Sequence, residues 1–127
     1  ISSFASGCRY CQAHMILASE RFGASEKRME TIWTYEDSPH FTEAERAALA
    51  FAQAATAVPN QVTPEIEGRL RAHWGPGDIV EIMGVIALFG YLNRWNDSMG
   101  SALEDLPRQT AEKRLAAQSG WEIGKHA

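Results

Sequence analysis

Apolar positions along the chain recur at intervals of three and four, the period of an α-helix, and nowhere alternate as they would in a strand. From Cys8 to Phe22 the row Cys8, Cys11, Met15, Ala18 and Phe22 marks one helical face, and Gly23 suits its end. Ser25 is placed to cap a second helix with Met29, Ile32 and Trp33 inward, before Ser38-Pro39-His40 breaks the pattern. Thr42-Glu43-Ala44-Glu45 has the form of a capping box, opening a helix whose inner stripe reads Ala44, Ala47, Ala48, Phe51, Ala54 and Ala55. Thr63 and Pro64 open a fourth helix carrying Ile66, Leu70 and Trp74. Asp78 is then expected to cap the most apolar element, from Ile79 to about Met99. Apolar residues cover nearly its whole circumference, which predicts burial on most sides with help from another subunit. Gly84 and Gly90, each about 1 kcal/mol less favourable than Ala in a helix, point to close backbone contact there. Beyond Gly100 the chain turns polar: Leu103 to Pro107 reads as a turn, Thr110 to Gln118 as a short helix, and Trp121 as an anchor. The predicted fold is all-α, with five to six helices in a single domain over residues 1–127, of which 101–127 form a C-terminal packing tail.

Composition narrows the function classes. A chain of 127 residues suffices for one domain with a core, and 45% hydrophobic with 22% charged residues is a globular balance. A formal net charge of −4 offers no electrostatic basis for binding nucleic acid or anionic membrane. The run from Ile79 is too short for a bilayer and is interrupted by Glu81. Ile1 to Ala5 reads as the end of an apolar element, so a native N-terminal segment is expected upstream.

The candidate chemistry lies in Ser6-Gly7-Cys8-Arg9-Tyr10-Cys11-Gln12-Ala13-His14, which holds both cysteines and one of the four histidines. Residues three apart share a helical face, so Cys8, Cys11 and His14 form one ridge. With Ser6 as N-cap, both thiols fall in the first turn, where free backbone N–H groups and the helix dipole stabilise a thiolate. Arg9 adds positive charge, and His14 is placed to exchange a proton. A structural disulfide closing so short a loop removes little entropy. A zinc site would use Cys8, Cys11, His14 and a distant ligand such as His40, without a second pair at finger spacing. Inert buried thiols are the remaining alternative. Tightly spaced cysteines favour catalytic thiols in a reducing compartment, hence the cytoplasm, with no metal and no cofactor.

The sequence resembles the carboxymuconolactone decarboxylase and AhpD-like alkylhydroperoxidase superfamily, nearer its peroxidase-related branch. The likeness is carried by the stretch from Ser6 to His14, by Phe41 to Ala52, and by Asp78 to Ile82 running on to Leu92-Asn93-Arg94-Trp95-Asn96. It implies a helical homo-oligomer, trimer or hexamer, that reduces a small-molecule hydroperoxide and is recycled by a dithiol reductant protein. By the same resemblance Cys11 is the attacking thiolate, Cys8 the resolving thiol and His14 the relay histidine, although the family pattern places that histidine where this chain has Met15. The family's relay glutamate would precede Ile1, and Glu81 is a candidate substitute. Asn93, Trp95 and Asn96 are candidates to line the pocket, while His40, His73 and His126 receive no role. Two other functions stand beside peroxide reduction: a decarboxylase-like enzyme with no use for thiols, and a non-catalytic redox-sensing module.

Overall fold

Three of the expected caps form as side-chain hydrogen bonds. Ser25 Oγ accepts from Arg28 N at 3.3 Å and Thr63 Oγ1 from Ile66 N at 3.3 Å. Thr42 Oγ1 accepts from Glu45 N at 3.2 Å while Glu45 Oε2 accepts from Thr42 N at 2.8 Å, the reciprocal pair of a capping box. In the computed structural model, which describes residues 1–127, these caps open three of eight helices. The order is α1 (Ser2–Ala5), α2 (Arg9–Arg21), α3 (Glu26–Thr31), α4 (Glu43–Thr56), α5 (Pro64–His73), α6 (Pro76–Met99), α7 (Asp105–Arg114) and α8 (Ala116–Ser119). Single 3-10 turns follow α3 and close the chain at Gly124–His126. The fold is all-α with no strand, as the periodicity requires. The helix count exceeds the expected five to six because α1 and α8, at four residues each, are barely one turn and leave no periodic signature.

The core lies on α2. Ala13 and Ile16 pack with Met29, with Ala111 and Leu115 of α7 and its C-terminal cap, and with Trp121 of the tail. Arg114 fastens this side by forking between Glu20 and Glu26. On the other side α1 closes against α2, where Gln12 Nε2 donates to Ser3 O at 3.0 Å. The buried positions of α2 are therefore Cys11, Gln12, Ala13 and Ile16, while Met15 is 38% and Phe22 92% exposed. The buried face is turned from the expected row because α1 and α7 grip the helix from two sides.

One expectation for the longest helix is corrected, its start. It starts at Pro76, with Gly75 as N-cap and Asp78 in the first turn, its Oδ2 accepting from Gly75 N at 3.1 Å. Within this chain it buries only Ile86 and Asn93. Val80, Val85, Leu88, Tyr91, Trp95 and Met99 are each more than half exposed. Gly84 and Gly90 meet no neighbouring atom that a Cβ would touch, so no element of this chain makes the close approach expected there. No helix is long and apolar enough to cross a membrane.

Candidate active site

Gly7 turns the chain with φ +77°, a conformation that L side chains rarely adopt, and so separates α1 from α2. Ser6 ends α1 rather than capping α2, and the cap falls to Cys8 itself: its extended backbone leaves Sγ to accept from Cys11 N at 3.4 Å. A sulfur at the N-cap sits where backbone N–H groups converge, the best place on a helix for negative charge. Both cysteines are free thiols; Cys8 is fully buried and Cys11 shows 4% of its surface.

The two sulfurs divide the charge unequally. The Cys11 thiol donates to the Cys8 sulfur and, against the cost of burial, draws the Cys8 pKa down to about 7. The same hydrogen bond, with burial and the adjacent negative sulfur, pushes Cys11 far up. Of the two sulfurs, these contacts favour ionising Cys8 first. Asn96 lies beneath the pair, its Nδ2 donating to Leu92 O at 3.0 Å and approaching Cys11 Sγ at 3.8 Å. Ser101 Oγ donates to Asn96 Oδ1 at 2.8 Å and fixes the amide orientation.

The structure does not bring His14 to the sulfurs. Its Nδ1 donates to Tyr10 O at 3.1 Å, its Nε2 lies 3.2 Å from Glu104 Oε2, and its ring stacks on Tyr10. Both nitrogens are thereby engaged with oxygen acceptors. Glu104, ahead of α7, supplies His14 with a charged partner instead. His40 is exposed in the turn before α4, so the four-residue zinc set does not assemble. Glu81 is exposed on α6, and Trp95 is 56% exposed on its outer groove with Met83, Tyr91 and Met99, away from the thiols. Asn93 is buried to 1% with neither amide atom hydrogen-bonded.

Residues without a sequence signal complete the site. The tail returns over Cys8, held by Arg9 Nη1 donating to Glu122 O at 2.9 Å and by Leu103 N donating to His126 O at 2.8 Å. Lys125 Nζ pairs with Asp97 Oδ2 at 2.9 Å. Cys8 Sγ, a carboxylate oxygen of Asp97 and a ring nitrogen of His126 all lie within 4.8 Å of one another. These three donor atoms are the one set near the thiols with any likeness to a metal centre, but the Asp97 carboxylate is already neutralised by an ammonium and the set lacks a fourth donor. It fits a structural metal poorly. More than a hundred residues separate Cys8 from His126, so no spacing rule joins them.

Comparison with known proteins agrees with this architecture. Of this chain, 88% superposes on the debrominase Bmp8 with a TM-score of 0.84 and 36% identity. The fold is that of Bmp8. A cysteine-to-alanine variant of that enzyme in complex with 2,3,4-tribromopyrrole matches equally, at 35% identity and TM-score 0.84. In sequence, the chain is 31% identical over 103 residues to the uncharacterised YnjA of Escherichia coli K12, and 24% identical over 96 residues to the uncharacterised YdfG of Bacillus subtilis 168. These alignments take in 80% and 75% of this chain but 53% and 65% of the two relatives, and 60% of the Bmp8 chain is covered. No protein-family model matches the chain.

Proposed function

We propose that the protein is a two-electron dithiol reductase whose substrate is a small organic hydroperoxide. The observation that carries this reading is the pair of free thiols at the N-cap of α2, where Cys11 N donates to Cys8 Sγ at 3.4 Å and Cys8 is drawn down to about 7. The AhpD-like blocks of sequence supply the peroxide. Cys11, 4% exposed against a fully buried Cys8, passes its proton to Cys8 and attacks the peroxide oxygen. The O–O bond breaks, Cys11 becomes a sulfenic acid, and the alkoxide takes up the proton that the thiol pair released on ionising. Cys8 then loses its proton and attacks the Cys11 sulfur; the S–O bond breaks and hydroxide leaves with that proton as water. Two thiols become a disulfide and the hydroperoxide becomes an alcohol and water. A dithiol reductant protein restores the pair in a reducing, cytoplasmic setting. The exposed apolar face of α6 supports a homo-oligomer, trimer or hexamer, built through that helix.

The likeness to Bmp8 favours a second reading, reductive removal of bromine from an aromatic ring. There the thiolate takes the bromine, the ring carbon takes a proton, and disulfide formation expels bromide. The test measures consumption of an organic hydroperoxide and, in parallel, of 2,3,4-tribromopyrrole, each with excess dithiothreitol, for wild type, Cys8→Ser and Cys11→Ser. Peroxide turnover that falls at least 100-fold in both variants supports the proposal. Equal turnover in Cys11→Ser removes it, and turnover of the bromopyrrole alone replaces it with the second reading.

A further inference from the structure

We propose that His126, brought from the far end of the chain, is the proton acceptor for Cys8, with Asp97 stabilising the charged ring. The inference deepens the dithiol reading above and rests on it only for its purpose, not for its geometry.

His126 is 1% exposed, and its Nε2 is among the few buried polar atoms without a hydrogen-bond partner. A buried polar atom left unpaired costs about 1–3 kcal/mol, so it needs an explanation in chemistry or packing. Nδ1 lies 2.9 Å from Ser101 O, and a carbonyl can only accept, so Nδ1 carries the hydrogen. That bond leaves Nε2 with its lone pair in the neutral ring, the tautomer a proton acceptor needs. Nε2 is 3.6 Å from Asp97 Oδ1, too long for a hydrogen bond in the resting state but close enough to stabilise an imidazolium. Cys8 Sγ lies within 4.8 Å of the same carboxylate and ring, a gap that a small rotation or one water spans.

The step balances simply. The Cys8 S–H bond breaks, its proton forms an Nε2–H bond on His126, and the electron pair stays on sulfur. The product is a thiolate and an imidazolium with the Asp97 carboxylate beside both. In the second half of the redox cycle the same transfer lets Cys8 attack Cys11, and the imidazolium returns the proton to departing hydroxide.

Every charged or titratable neighbour is consistent with that role. From α2 come Cys8 and the Tyr10 ring, 5.9 Å from the imidazole, and Arg9 holds the tail through Glu122 O. From α6 comes Asp97, which by itself disfavours a Cys8 thiolate and whose carboxylate is paired with Lys125. A Cβ on Gly100 would meet Lys125 O at 3.7 Å, so the turn that aims Ser101 O at the ring packs directly on the tail.

The test is a pH titration of thiolate absorbance in the full chain, reduced, for wild type, His126→Asn and His126→Gln. Asparagine keeps an amide N–H for Ser101 O but has nothing at the Nε2 position. The expected result is a first ionisation at least one pH unit higher in both variants. Turnover with a fixed dithiol should fall at least tenfold near neutral pH and recover in part with added imidazole. Variants that melt like wild type yet ionise at the wild-type pH, with no response to imidazole, overturn the inference. A measurement on wild type stands in if neither variant folds: the His126 ring nitrogen resonances at neutral pH, reduced against oxidised. Oxidation removes the thiolate, so the Nε2 signal moves toward the neutral form; identical signals in the two states overturn the inference. A shifted titration without hydroperoxide turnover leaves this inference standing and removes the proposed substrate, so the two failures are distinct.

Discussion

Replacing Cys11 by Ala tests how the two sulfurs share one charge. Cys8 is drawn from an ordinary value of 9.0 to about 7, and the Cys11 hydrogen bond is the largest cause; burial and Asp97 oppose it. A shift of that size corresponds to roughly 3 kcal/mol of preference for the thiolate. In Cys11→Ala the backbone N–H of residue 11 still reaches Cys8 Sγ, so the cap persists while the S–H donor is gone. The first ionisation should move up by at least one unit, cutting the thiolate present at pH 7 from about a half to below roughly a tenth. The reciprocal variant, Cys8→Ala, should bring Cys11 down, because the neighbouring negative sulfur that holds it up is removed. The assay is thiolate absorbance against pH, which reads a buried sulfur without requiring a reagent to reach it. A Cys11→Ala titration superimposable on wild type would refute the account, since the charge would then owe nothing to the second thiol.

Two further outcomes follow from the packing and the caps. Trp121 is 4% exposed in the cluster that binds the tail to α2 and α7, so Trp121→Ala should cost about 3–5 kcal/mol in urea unfolding, and a loss below about 1 kcal/mol would contradict its role as anchor. Glu45 is held at about 2 by Arg28 and by Thr42 N. A depressed carboxylate stabilises the fold fully above its unfolded value near 4.5 and loses that contribution as pH falls through about 2. Glu45→Gln should therefore be about 1 kcal/mol less stable than wild type at neutral pH, with the gap closing below pH 4.5 in acid melts; a constant gap would contradict the linkage.

Local chemistry was legible in the sequence wherever its cause is local. The helical period follows from chain geometry, and Ser25, Thr42 and Thr63 cap helices because a hydroxyl can reach an N–H three residues on without help from elsewhere. The all-α class and the nearness of Cys8 to Cys11 are of the same kind. What the pattern could not supply was the phase at the helix start. Ser6 and Cys8 both lie where a cap can form, and only the packing of α1 against α2 left the role to Cys8. Cys11 and His14 keep their three-residue spacing on α2, and what engages the His14 ring away from the thiols is Glu104, a partner from another element.

The rest was decided by elements far apart in the chain. Asp97 comes from the end of α6 and His126 from the closing turn, and they reach Cys8 because Trp121 fills the space between α2 and α7 while Arg9, Ser101 and Leu103 hold the tail down. The apolar girth of α6 was plain from composition, but which side this chain covers was not, since burial belongs to a pair of surfaces and the sequence states only one. Short-range geometry wrote two thiols side by side into this protein; only the folded chain, by returning its last residues over the start of α2, gave one of them a carboxylate and an imidazole.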